Sequence, residues 1–176
     1  MEITQKGAHL DHMIRQTRMH HAQLSSMADM KANILLTMSS VVITLSVRYI
    51  AEPHLKWATI VLIVSCLLTI GLATYAVMPK VPILLKRSTP PDLRSPSFNL
   101  LFFGDFVRLD YNEFEAAMEQ MMNDPSRNYE AQVKEIYTLG TFLAKVKYRS
   151  LRLAYTTFIV GAFTAAIVGV FSGALG

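Results

Sequence analysis

The sequence has a single cysteine, Cys66, in 176 residues, which excludes an intrachain disulfide and any cysteine metal site. Breakers are missing from two long stretches: neither proline nor glycine occurs between His9 and Glu52, and no proline follows Pro125. Nothing local would end a helix in the first stretch, and no proline would end one in the second. Charge is absent from residues 32–47, 57–78 and 153–176, runs of 16, 22 and 24 residues. Histidine is scarce. Four of the five, His9, His12, His20 and His21, lie near the N-terminus with only His54 elsewhere, so the remainder of a metal site is lacking. A nucleophilic enzyme is disfavoured as well, because no base, nucleophile and orienting group converge in the pattern.

What remains is apolar: 52% of residues are hydrophobic and the mean hydropathy is +0.31, too high for an ordinary soluble domain. A helix needs about 20 apolar residues to cross the hydrocarbon layer. The second and third uncharged runs reach that length. The first falls slightly short, and Lys31 and Arg48 complete it by extending their stems to the two headgroup layers. A signal peptide is the competing reading of this run, but it begins only after 31 residues and Val47-Arg48-Tyr49-Ile50-Ala51 offers no convincing small-residue cleavage site. The expected fold is an all-α integral membrane protein with three transmembrane helices, at about residues 32–50, 57–78 and 153–175, and long cytoplasmic helical extensions packed as a stalk.

Basic residues set the orientation. Of 17 Lys and Arg, four lie in residues 1–31, two in 48–56 and eleven in 80–152. By the positive-inside rule the N-terminus and the region before the third span face the cytoplasm, and the C-terminus lies outside. A net charge of +4 with a pI near 9.3 would suggest nucleic acid in a soluble protein. Here the cations gather beside spans, where anionic lipid is the nearer partner, and no nucleic acid polymer is expected.

Residues 1–31 read as a cytoplasmic amphipathic helix, since Leu10, Met13, Thr17, His20, Leu24 and Met27 alternate spacings of three and four. It continues unbroken into the transmembrane hairpin at 32–78, which Glu52-Pro53-His54 turns. Residues 79–97 form a Pro-rich connector, and 98–152 a helical cytoplasmic region. There Asp110 with Glu113 is a capping-box pattern, Asn123-Asp124-Pro125 ends the helix that it starts, and Ser126 can cap the next. That helix continues into the third span at 153–175 as a second rod of roughly 70 Å.

Several groups of residues carry chemistry. Asp29, at the mouth of the first span, is explained by pairing between the rods: Asp29 and Lys147 are the expected interhelical pairing residues, with Arg149 or Arg152 as the other bases for Asp29. Lys31 reads as an interfacial anchor. Lys145, Lys147, Arg149 and Arg152 read most simply as a stop-transfer and lipid-contact cluster. The sharper alternative is an anion site, with Arg149 and Arg152 on a phosphate while Phe or Tyr rings, opposite in the aromatic loop from Phe102 to Phe106, stack on a base. Gly161, Ala165, Gly169 and Gly173 recur every fourth position, a strip suited to close helix approach and self-association. Thr37, Ser39, Ser40, Thr44 and Ser46 make the first span the most polar of the three, suited to interhelical hydrogen bonding or to lining a water path.

Three islands together resemble one family: Ala28-Asp29-Met30-Lys31-Ala32-Asn33-Ile34-Leu35-Leu36, Asn99-Leu100-Leu101-Phe102-Phe103-Gly104-Asp105-Phe106, and Lys147-Tyr148-Arg149-Ser150-Leu151-Arg152-Leu153-Ala154. In this order they resemble the Pycsar transmembrane effectors, bacterial antiphage proteins. The resemblance implies an effector in the bacterial inner membrane, activated by cyclic CMP or cyclic UMP, that impairs membrane integrity and causes abortive infection. Longer relatives carry an N-terminal phosphohydrolase domain without counterpart here, so no enzyme activity and no cofactor is implied. On this reading Arg149 and Arg152, with Lys31, are the candidates for phosphate. Phe102, Phe103 and Tyr111 are those for base stacking, Asn99 or Asp105 those for the base edge, and a homo-oligomer supplies several sites. A non-catalytic anchor or scaffold recruiting a cytoplasmic partner is the alternative, and an ordinary ion channel a third.

Overall fold

A computed structural model describes residues 7–79, 95 and 98–174. The connector expected at 79–97 therefore lies outside the described residues apart from Pro79 and Ser95, as does the last residue of the third span. Among the described residues the protein is all-α, with three helices long and apolar enough to cross a membrane.

Helix α1 spans Ala8–Ser46 and passes directly into a 3-10 turn, Val47–Ala51. The unbroken run follows from the missing proline and glycine; Pro53, which lacks a backbone donor, stands just beyond its end. Helix α2 runs Lys56–Val77. After a four-residue helix α3, Phe103–Phe106, comes α4, Tyr111–Asn123, whose first turn carries the capping box of Asp110 and Glu113. Glu113 Oε2 accepts the Asp110 backbone N–H at 3.2 Å, so two donors at the helix start are satisfied reciprocally.

Helix α5, Pro125–Phe142, begins two residues earlier than a Ser126 cap requires. The cap is Asp124, whose Oδ1 accepts the backbone N–H groups of Ser126 at 2.9 Å and Arg127 at 3.4 Å. Pro125 occupies the first helical position, where its fixed φ and absent N–H cost nothing. A π-helical segment, Leu143–Tyr148, then joins α5 to α6, Arg149–Ala174. Sequence periodicity gave no sign of this segment.

Two compact units divide the chain. One comprises Met1–Ala22 with Pro79–Thr141, the other Gln23–Met78 with Phe142–Gly176. In the second unit the core is Ala28, Ala32, Leu35, Ala73, Leu151 and Ala154. Four of these six are alanine, which lets helix axes approach closely, as helices in lipid must when they have only van der Waals packing to hold them. On helix α2, Thr59, Ser65 and Thr69 are buried, while Thr74 is exposed. Thr69 Oγ1 donates to the Ser65 carbonyl at 2.8 Å.

The first unit is held differently. Ile14, Phe98, Met121 and Tyr129 are its buried apolar residues, and the rings of Phe106 and Phe114 lie 5.1 Å apart at 39°. Tyr129 Oη donates to Asp11 Oδ1 at 2.7 Å, and Arg18 Nη2 to Glu135 Oε1 at 3.1 Å. Gly140 sits against the His21 ring, 3.2 Å from where a Cβ would stand.

Candidate functional site

The expected site residues fall into two sets, one in each unit. In the unit built from Gln23–Met78 and Phe142–Gly176, α1 supplies Asp29 and Lys31, the π segment supplies Lys147, and α6 supplies Arg149 and Arg152. Lys147 Nζ donates to Asp29 Oδ1 at 2.6 Å and to Ser25 Oγ at 2.9 Å. Asp29 thus takes Lys147, not Arg149 or Arg152, as its partner. The reason is position: Arg149 and Arg152 sit one turn apart on an exposed face of α6, while the Lys147 side chain is only 12% exposed. Two phenols reinforce the seam, Tyr148 Oη donating to the Leu24 carbonyl at 3.1 Å and Tyr155 Oη to that of Lys31 at 3.3 Å.

The charge consequence is simple. Lys147 is neutralised at close range by Asp29, whereas Lys31, Arg149 and Arg152 are exposed and form no ion pair among the described residues. These three cations are open to an anion, whether a soluble phosphate or a lipid headgroup.

The aromatic set belongs to the other unit. Asn99 is 2% exposed, and its side-chain oxygen accepts the Leu101 N–H at 3.0 Å, an Asx-type turn. The Asn99 N–H in turn donates to Asp105 Oδ2 at 2.9 Å. Asn99 and Asp105 are therefore brought together, but as struts of the turn that opens α3. What the turn leaves over is the Asn99 Nδ2, a buried donor with no partner among the described residues. Phe102 is partly exposed, its ring directly over Gly104, where any Cβ would meet the ring. Tyr111 opens α4 and is 69% exposed. The side chain of Phe103 lies outside the described residues.

The small-residue strip of α6 has an occupant within the chain. A Cβ at Gly161 would collide with the Ser65 side chain, Ala165 is buried, and a Cβ at Gly169 would touch Ala58 at 3.5 Å. Sequence spacing indicated close approach correctly as chemistry; the partner is α2, so these three positions are taken, and only Gly173 has nothing within 4 Å.

Sequence reasoning missed the polar ladder of the first unit. Tyr129 is held above the usual phenol range, chiefly by its hydrogen bond to the Asp11 carboxylate. His21 Nδ1 and Glu135 Oε2 are buried without partners among the described residues. The available signal was that Asp11, Arg18 and His21 recur at spacings of seven and three, along one face of a helix.

A search of curated proteins and a search of solved structures each find no match to this chain. The family model described as the Pycsar effector protein domain matches residues 12–174. That match takes in all three membrane-length helices and both residue sets, and the chain belongs to the Pycsar effector family.

Proposed function

We propose that this protein is the membrane effector of an antiphage system, that cyclic CMP or cyclic UMP activates it, and that activation compromises the bacterial inner membrane and aborts infection. The observation that carries the reading is the family match over residues 12–174, coinciding with three helices long enough to span a bilayer. The N-terminus is cytoplasmic and the C-terminus outside, on the distribution of basic residues. The protein acts as a ligand-responsive membrane component without catalysis.

For the ligand, Asn99 supports recognition of the base. A buried amide donor without a partner costs about 1–3 kcal/mol, a cost removed when an acceptor arrives. Cytosine and uracil share such an acceptor in the carbonyl oxygen at C2. Phe102, Phe103 and Tyr111 supply rings for stacking, and Asp105 fixes the Asn99 backbone.

Purified protein in dye-loaded liposomes tests this directly. Cyclic CMP or cyclic UMP should release dye while cyclic AMP and cyclic GMP do not, and Asn99→Ala should weaken the response by about tenfold or more, the equivalent of one buried hydrogen bond. Vesicles that stay tight with every cyclic nucleotide would leave the scaffold reading in its place; leakage without any ligand would favour a constitutive channel.

A further inference from the structure

We infer that one face of α1, marked by Ser26, Met30, Asn33, Thr37, Ser40 and Thr44, is a self-association seam whose occupant is the same face of a second copy of this chain. The six positions advance by four, three, four, three and four residues, an unbroken heptad spacing. At 100° per residue they lie roughly 150° around the helix from the packed seam of Ala28, Ala32, Leu35 and Ser39. All six side chains are exposed in the single chain.

Three observations separate this face from an ordinary lipid-facing one. First, its neighbours on α1, Ile34, Val41 and Leu45, are apolar and exposed, and they already provide a surface for acyl chains. Secondly, α2 hides three of its four Ser and Thr residues, Thr59, Ser65 and Thr69, while α1 buries Ser39 and Ser46 but aims Thr37, Ser40 and Thr44 outward over successive turns. Thirdly, an open depression lies on this same face, bordered by Ser26, Asp29, Asn33 and Thr37 among others.

The hydroxyl protons are satisfied locally. Thr37 Oγ1 donates to the Asn33 carbonyl at 3.0 Å, Ser40 Oγ to Leu36 at 2.8 Å and Thr44 Oγ1 to Ser40 at 3.0 Å. Their oxygens still offer acceptor positions outward, and the Asn33 amide makes no hydrogen bond among the described residues. Lipid tails can meet none of these groups.

A second copy meets them because every copy inserts with the same orientation, so identical residues of parallel helices stand at the same depth. Each Asn33 amide can then bond its counterpart, and the small Ser and Thr side chains permit close approach. The strip on α6 does not compete, since α2 occupies it.

Disulfide trapping tests the seam without ligand or phage. In a Cys66→Ala background, Thr37→Cys, Ser40→Cys, Val41→Cys and Leu45→Cys are each oxidised in native membranes. Thr37→Cys and Ser40→Cys should give about tenfold more linked dimer than Val41→Cys or Leu45→Cys, because a disulfide requires Cα atoms within about 7 Å. Equal yields at all four positions, or the larger yield at Val41 and Leu45, would overturn the seam. Insertion of each variant is checked by resistance to carbonate extraction. Dye release by cyclic CMP or cyclic UMP is a separate measurement, so a failed seam and a failed ligand response are read independently.

Discussion

The N-terminal stretch of α1 and its membrane stretch both pair in parallel with the rod made of α5, the π segment and α6, yet they do so by different physics. In the first unit the fastening is polar, through Asp11 with Tyr129 and Arg18 with Glu135. In the second it is alanine packing with one ion pair at its edge. Water makes a surface ion pair worth little, so the first unit needs several such bonds beside its few apolar contacts. Lipid removes the hydrophobic drive between helices, so the second relies on closeness.

The largest effect should come from crowding the close-packed unit. Gly161→Leu puts a branched side chain where the Ser65 side chain stands, and overpacking of this kind costs about 1–3 kcal/mol. Thermal unfolding in detergent should show the loss, while Gly173→Leu, with open space around it, should unfold like the parent. Equal effects at the two positions would break the contrast between closeness and polar fastening.

A smaller loss is expected at the ion pair. Asp29→Ala leaves the mostly buried Lys147 ammonium without its carboxylate, at about 1 kcal/mol because Asp29 itself is partly solvated. Adding Lys147→Met should restore much of that loss, a non-additivity that a double-mutant cycle reads directly. If the two losses simply add, the pair does not fasten the seam.

The smallest effect belongs to the polar unit and carries a pH signature. Tyr129 donates to Asp11 only while protonated, and its pKa is raised in the folded chain. The contribution is therefore complete below the ordinary phenol value of about 10 and fades as pH climbs through the folded value. Tyr129→Phe should remove this alkaline loss and lower stability at neutral pH by less than Asp29→Ala does. An unchanged alkaline limb in the variant would assign the titration elsewhere.

Much of this architecture could be read from residues alone. Uncharged runs bounded by cations define spans because lipid rejects charge, and two stretches without breakers define rods. The Asp110 and Glu113 pattern locates the start of α4 because both halves of the box are local. What could not be read depends on partners. Ser126 is a good cap in isolation, but Pro125 fits the first helical position so well that Asp124 becomes the cap. The α6 strip of glycine and alanine announces close approach without naming α2. Asp29 and Lys147 were legible as a pairing between the rods, but the π segment that carries Lys147, Leu-Ala-Lys-Val-Lys-Tyr, has no local signature. Asn99 and Asp105 were legible as polar groups in an apolar segment; that they bond each other, leaving one amide donor over, follows only from the turn.

Gly104 offers a gauge of a different kind. Its backbone has no positive φ, so nothing in the main chain requires glycine there; the requirement comes wholly from the Phe102 ring resting above it. A methyl group at that position is a feeler for the ring: rejected while Phe102 lies flat, admitted once it swings aside. Whatever displaces the ring, a stacked base included, should make alanine at 104 easier to accommodate, so tolerance at this one site reports the posture of the whole aromatic turn.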